Sequence, residues 1–307
     1  LNNINTALLP AEIRHEGKRT IEKLLQNGGP RTEDYDLLND CLYRIGKGIK
    51  ENMFTPQEVE ELIQAFGEAF SVKTMQGFSL RKPHGYAGDF EIIDKVYTHY
   101  TCPQEELANW DRFFHQLPAT KAVRNRKEYF KRVLRTKCLH STQMVHVLNV
   151  ASGPSRDVLE FINENPEAGI SFDCIELDEK AIQHSRTLLK DHLDKVRFIN
   201  MNVLKYSSLQ QYDLVWSAGL FDYFQDAVFV KMLRRFIGWT RAGGEVIVGN
   251  FGSYNPTREF MELMDWILIH RPEEHLSQLA EEAGAAKENI SIGTEEESIN
   301  LFLHIKV

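Results

Sequence analysis

The densest group of chemistry-bearing residues in this chain is Arg81-Lys-Pro-His-Gly-Tyr-Ala-Gly-Asp89. Gly85 and Gly88 predict a tight loop whose backbone approaches something closely. Arg81, His84 and Tyr86 are donors suited to orienting an anion, while His84 and Asp89 are types that take a proton from a hydroxyl or an amine. The bland alternative is an interdomain hinge with Arg81 paired to Asp89. A second group is Val147-Leu-Asn-Val-Ala-Ser-Gly-Pro-Ser155, a β-rich run that passes through small residues into a helical pattern. Ala151, Ser152, Gly153 and Pro154 let a ligand approach the backbone, and the following helix N-terminus offers unpaired N–H groups. One glycine stands where a dinucleotide fingerprint has three, so the loop is a poor pyrophosphate site; a plain connecting turn is the alternative. Ser171-Phe-Asp-Cys-Ile-Glu176 then ends in an acid 23 residues beyond Gly153, a position from which a carboxylate accepts both hydroxyls of a ribose. Asp178 reads as the cap of the next helix.

Further along, Asn200-Met-Asn202 offers an amide for a nucleobase edge or, equally, a turn. Tyr212-Asp-Leu-Val-Trp-Ser-Ala-Gly219 ends in small residues over which a ligand can lie. Asp222 and Tyr223 follow as acceptor-facing candidates, against helix capping and core packing; Asp222 is a third candidate base. Asn255, Arg258 and Glu262 form a last cluster, in which an i,i+4 ion pair explains Arg258 and Glu262 as well as substrate binding does.

Elements must hold these groups in place. Up to about residue 140 the apolar spacing is helical, with helices expected near 10–26, 33–49, 56–76, 104–116 and 119–138. From Met144 onward, strands expected at 145–151, 171–176, 196–200, 212–217 and 244–250 alternate with helices near 155–164, 179–190 and 226–240. Such alternation means a parallel sheet with right-handed crossovers. A helical stretch at 257–282 precedes two short runs, 289–292 and 299–307, whose acidic connection Gly293–Ser298 predicts an antiparallel hairpin at one edge. The chain thus reads as an all-helical N-terminal domain, 1–140, and an α/β domain, 141–307.

Composition narrows the function classes. A net charge of −8 argues against nucleic-acid wrapping, and no apolar run approaches the roughly 18 residues of a membrane span. With no signal-peptide pattern, a cytoplasmic protein is expected. The cysteines, Cys41, Cys102, Cys138 and Cys174, lie far apart and suggest neither a disulfide framework nor a metal site. Against the acidic trend, Lys121–Lys137 carries eight Lys or Arg and one Glu, read either as a solvated helix face or as a surface for an anionic ligand or an acyl carrier protein.

Residues from about 144 onward resemble the class I S-adenosylmethionine-dependent methyltransferases. The Leu148–Ser155 loop, Glu176, the Asn202 position, the fourth strand and Arg241-Ala-Gly-Gly-Glu245 follow that family's order. The resemblance implies a Rossmann-like seven-stranded sheet with S-adenosylmethionine as cofactor. Its binding set would be Asn149, Ala151, Ser152, Gly153 and Pro154 around the methionine part, Glu176 and Leu177 at the ribose, Asn202 and Val203 at the adenine, and Ser217 and Gly219 below. Asn149, Ala151 and Asn202 depart from the family's usual acid, glycine and Asp. A narrower resemblance, carried by Arg81–Asp89, Tyr97, Ser217–Tyr223 and Asn255…Arg258…Glu262…Trp266…Arg271, is to a bacterial family of 3-hydroxypalmitic acid methyl ester biosynthesis. Together these imply O-methylation of a small or acyl-chain carboxylic acid, with the Arg81–Asp89 loop, Asp222 and Tyr223 facing the acceptor. The alternatives are methylation of a hydroxyl or amine, a non-catalytic protein that binds the cofactor, and an NAD-dependent oxidoreductase.

Overall fold

In the computed structural model residues 9–307 are described, and they divide into two compact units. The first comprises the described residues up to Thr120 together with Pro256–Ile267. Its helices are α1 (Pro10–Gln26), α2 (Tyr35–Lys50), α3 (Pro56–Ala65), α4 (Met75–Arg81), α5 (Phe90–Tyr97) and α6 (Glu105–Gln116). Caps written in the sequence start three of them: Thr55 with Glu58 makes a capping box for α3, Thr74 accepts from the Gly77 N–H at α4, and Asp89 accepts from two N–H groups at α5. Phe66 and Phe70 stack at 3.8 Å beside Trp110 in the buried centre.

Two expectations for this unit fail. The helix expected over 56–76 breaks at Gly67, whose φ of +49° admits glycine readily, and restarts after the Thr74 cap. No element was expected over 90–97, where α5 forms because Asp89 caps a short run that buries Ile92, Ile93 and Val96.

The second unit comprises Lys121–Asn255 and Leu268–Val307. It contains most of α7 (Pro118–Leu139), then β1 (Val145–Val150), α8 (Arg156–Glu164), β2 (Ile170–Glu176), α9 (Glu179–Leu188), β3 (Val196–Asn200), β4 (Tyr212–Ser217), α10 (Asp226–Trp239) and β5 (Thr240–Phe251). After α11 (Arg258–Leu263), which belongs to the first unit, come α12 (Glu273–Glu282), β6 (Ile290–Thr294) and β7 (Asn300–Lys306). The stretch expected as helical over 257–282 is therefore two helices separated at 264–272. The sheet order is β3-β2-β1-β4-β5-β7-β6, with β1 to β5 parallel and β7 antiparallel between β5 and β6. This is the α/β, seven-stranded Rossmann-like sheet expected, terminal hairpin included.

Alternation along β1 sends Val147 to one sheet face and Leu148 and Val150 to the other, so both faces carry a core and the strand reads as a continuous apolar run. The Val147 face is closed by Phe130 and Leu134 of α7 and Phe161 of α8, with Phe130 stacked on Trp216 at 4.4 Å. The other is closed by Phe229 and Phe236 of α10 and Leu276 of α12. That packing corrects the boundary expected near residue 140. The apolar stripe of α7 belongs to the sheet, and the division falls at Thr120–Lys121. Pro256–Ile267 joins the helices because α11 lies against α2, where a Cβ on Gly46 would stand 2.6 Å from the Glu259 backbone. Among the described residues no helix is long and apolar enough to cross a membrane.

Candidate functional site

The carboxyl ends of β1 to β4 gather most of the residues singled out in the second unit. After β1 the chain passes through three residues of positive φ at alternate positions: Ala151 (+54°), Gly153 (+53°) and Ser155 (+53°). Within this zigzag the Ser152 N–H donates to the Ile175 carbonyl (3.2 Å), the Gly153 N–H to Glu176 (2.9 Å) and the Ser155 N–H to the Ser152 carbonyl (3.2 Å). A Cβ added to Gly153 would meet nothing within 4 Å, so open space faces the loop there. Pro154 and Ser152 are buried and Ala151 is exposed. Asn149, with 2% exposure, has a side-chain Nδ2 with no hydrogen-bond partner, while the buried Ser152 and Ser155 hydroxyls face the Cys174 thiol. Buried donors without acceptors cost about 1–3 kcal/mol each, an expense that a polar ligand here would relieve.

Glu176, the last residue of β2, fastens this loop. Its Oε2 accepts from the Gly153 N–H (2.9 Å) and its Oε1 from Leu177 and Asp178 (2.8 and 3.0 Å). Burial pushes its carboxyl up, and the three N–H bonds pull it back toward the ionised form. A carboxylate has about four acceptor positions, so one is left for a ribose hydroxyl. Asp178 caps α9 through the Lys180 N–H, as expected.

The adenine candidates are less clear-cut. The Asn202 side-chain oxygen accepts from the Leu204 N–H (2.9 Å), the turn-forming role, and Asn200 is tied to the Glu176 and Leu177 carbonyls. Val203 is buried in the sheet core, while Leu177 stands exposed. Ser217 donates to the Val150 carbonyl (3.0 Å), locking the ends of β1 and β4 together. Gly219 lies beneath the Arg126 guanidinium, where a Cβ would stand 2.9 Å from Nη1.

Asp222 is 2% exposed and its Oδ1 accepts from the Phe251 N–H (2.6 Å), tying the segment after β4 to the end of β5. Burial pushes its carboxyl up to about 7 against the opposing pull of Arg126 and Arg271. Tyr223 beside it is exposed. Asn255 meets His270 (3.1 Å), and Arg258 pairs with Glu262 (2.6 Å) as an ordinary i,i+4 ion pair.

The Arg81–Asp89 residues belong to the first unit. Asp89 is buried and receives the Glu91 and Ile92 N–H groups (2.9 Å each), so it caps α5 and is not the partner of Arg81. Arg81 Nε donates to the Phe70 carbonyl (3.2 Å). His84 Nε2 pairs with Glu91 (2.9 Å), its ring 4.7 Å from that of Phe90, and its Nδ1 is buried. Tyr86 is exposed.

The basic face of α7 is largely neutralised inside its own unit. Lys127 meets Glu160 (2.7 Å), Lys131 meets Glu160 and Glu164 (3.2 and 2.6 Å), Arg135 meets Glu164, and Lys137 meets Glu245 (2.7 Å). Sequence reasoning saw a charge run and missed its acidic counterpart on α8, whose Glu160 and Glu164 are four residues apart. It also missed that Arg126, Lys127 and Lys131 of this run are all buried. The four cysteines are free thiols.

Residues 147–244 match the family model of a methyltransferase domain. No curated protein matches the chain. Among solved structures, the fold is similar to that of a possible exported protein from Bordetella parapertussis (17% identity, 99% of this chain and 98% of that one, TM-score 0.61). It is also similar to the CMeT domain of a citrinin polyketide synthase (10% identity, 98% and 90%, TM-score 0.57) and to SibL, an S-adenosylmethionine-dependent methyltransferase (13% identity, 98% of both, TM-score 0.53). The open space at Gly153, the orphaned Asn149 donor and the Glu176 carboxylate fit an adenosyl sulfonium. By the family match, the second unit holds a methyltransferase domain over residues 147–244.

Proposed function

We propose that the chain methylates a carboxylate oxygen of a small or acyl-chain acid. The observation that carries this reading is the state of the candidate bases. Asp89 is spent on capping α5, His84 is held by Glu91 with its other ring nitrogen buried, and Asp222 is buried and bonded to the Phe251 N–H. A hydroxyl or amine acceptor must lose a proton to such a group, whereas a carboxylate is ionised at neutral pH and needs only orientation.

When bound, the cofactor supplies an activated methyl group and its own leaving group. The chain's part is to bind and align: Gly153 and its neighbours at the methionine part, Glu176 at the ribose, and Asn202 and Val203 at the adenine. A fatty acyl chain held by a carrier has its carboxyl group locked in a thioester, so on this reading the acid enters free. The paired state of α7 agrees with that.

Transfer of tritiated methyl to a panel of acids, alcohols and amines tests the reading. The expected product is an ester that releases labelled methanol in alkali, formed at a rate flat above about pH 6, since carboxylic acids ionise near pH 4–5. An alkali-stable product, with a rate rising through neutral pH, would instead support the second reading. There Asp222, its carboxyl pushed up to about 7, serves as base to a hydroxyl or amine. Cofactor binding with no transfer to any acceptor would leave a non-catalytic binding protein.

A further inference from the structure

We infer that Tyr129 is an activated nucleophile, with His304 as its base and Glu245 as the group that orients the base, and that it takes an acyl group from an activated donor. The inference is independent of methyl transfer. Glu245 pairs with Leu214 in the amino-terminal half of β4, whereas the cofactor candidates gather at the carboxyl ends of the strands. Three elements of the second unit supply the row: Tyr129 comes from α7, Glu245 from β5 and His304 from β7, the strand between β5 and β6.

The row is continuous. The Tyr129 hydroxyl lies 2.7 Å from His304 Nε2, His304 Nδ1 lies 2.8 Å from Glu245 Oε1, and Lys137 meets Glu245 Oε2 at 2.7 Å. Burial pushes the Glu245 carboxyl up, yet the bonds from His304 and Lys137 outweigh it and hold the group down at about 2. An ionised carboxylate only accepts, so the tautomer it selects carries hydrogen on Nδ1 and leaves Nε2 to accept from the phenol. That is the hydroxyl, imidazole, carboxylate order of an activated nucleophile. Arg132, its guanidinium 5.3 Å from the centre of the Tyr129 ring, favours the charge that develops on the phenol oxygen.

The row also lies within reach of solvent. β6 is the edge strand, and a Cβ on Gly293 would stand 2.1 Å from the Tyr129 hydroxyl, so glycine clears the place that the phenol oxygen fills at the rim of the sheet. Tyr129, His304 and Glu245 are each half-buried. In the step, the phenol oxygen bonds to the acyl carbon and the bond from that carbon to its leaving group breaks. The phenol proton passes to Nε2 and on to the leaving group. The product is a phenyl ester, and nothing is oxidised or reduced.

N-acetylimidazole is the probe, applied to the full chain, with the acetylation rate of each tyrosine read from peptide masses. Tyr43 and Tyr254, 47% and 64% exposed, are the internal standards. Burial pushes the Tyr129 phenol up, so without a base it must react more slowly than either. The expected order is the reverse: Tyr129 is acetylated fastest, and hydroxylamine releases the label. His304→Gln keeps an acceptor for the phenol but no base, and should slow Tyr129 about 10-fold or more with the standards unmoved. Should H304Q fail to fold in a thermal melt, Glu245→Gln, which removes the charge that orients the imidazole, should give a loss of the same sign. The inference is overturned by a Tyr129 that reacts no faster than Tyr43 and Tyr254, or by one that stays within about 3-fold of its wild-type rate in the folded variant. Either result would leave the row as a tie that fastens α7 to the sheet.

Discussion

Glu176 carries two loads through one carboxylate. It ties the Gly153 N–H to the end of β2 and, on the proposed reading, offers its remaining acceptor position to a ribose hydroxyl. Glu176→Ala should therefore weaken S-adenosylhomocysteine binding by about 1–3 kcal/mol, roughly 5- to 150-fold, and also lower the melting temperature of the free protein, because N–H groups are left unpaired. Calorimetry with thermal melts separates the two: a lower melting temperature at unchanged affinity would leave Glu176 as a loop fastener only. Asp222 sets a different test, of stability against pH. Its carboxyl lies near 7 in the fold and near 4 in the unfolded chain, so the native state holds a proton that the unfolded state gives up. Its contribution to stability is then fully present below about pH 4 and is lost as pH rises through about 7; Asp157 and Asp111, pushed up to about 6, contribute with the same sign, and Glu245, held down at about 2, with the opposite one. Asp222→Asn keeps an oxygen for the Phe251 N–H and removes the titration. Its unfolding free energy from urea titration should gain on the wild type between pH 5 and pH 8, by an amount on the order of a few kcal/mol. Parallel pH profiles for the two proteins would contradict the burial argument.

At the scale of elements, what the sequence made legible was whatever buries a periodic face. The five parallel strands were readable because both faces of the sheet are covered, so each strand is an apolar run bounded by turn residues; Tyr212–Ser217 is buried at every position. Helix α5 was not, because its capping residue, Asp89, closes a segment so rich in polar side chains that it reads as a reactive loop. The same ambiguity applies to Asn202, whose side chain serves a turn, and to Asp222, whose carboxylate serves a strand end. Polar residues with local backbone partners look the same in sequence as polar residues awaiting a ligand. Arg126, Lys127 and Lys131 show the converse, since nothing in a run of eight cations tells which of them are buried. Asp89 lets the distinction be measured. Asp89→Ala should cost about 1–2 kcal/mol through loss of the cap, whereas Asp89→Ser, which also accepts at an N-cap, should restore most of that stability and keep methyl transfer at the wild-type rate. A Ser variant that is stable yet inactive would return Asp89 to the chemistry.

The molecule as a whole divides where its apolar surface divides, not where its secondary structure changes class. All-helical sequence gives way to strand alternation near residue 140, yet α7 belongs with the sheet because Phe130 and Leu134, both 0% exposed, complete the core around Val147, Phe161 and Trp216. Burying two such side chains contributes roughly 3–6 kcal/mol, a large share of the net stability of a domain of this size. The reverse holds for Pro256–Ile267, where Phe260, Met261 and Leu263 bury their side chains in the helical unit although the residues on both sides belong to the sheet. A fragment cut at the change of class, 141–307, would expose the Trp216 face and also carry a stranded α11. A fragment of 118–255 joined to 268–307 by a Gly/Ser linker of the excised length keeps both faces of the sheet covered. The second should be soluble and monomeric, unfold cooperatively and bind S-adenosylhomocysteine, since Gly153, Glu176 and Asn202 all lie within it; the first should aggregate. Calorimetry and size-exclusion chromatography on the two fragments read the difference. A well-behaved 141–307 would mean that α7 is an accessory of the sheet and not part of its core.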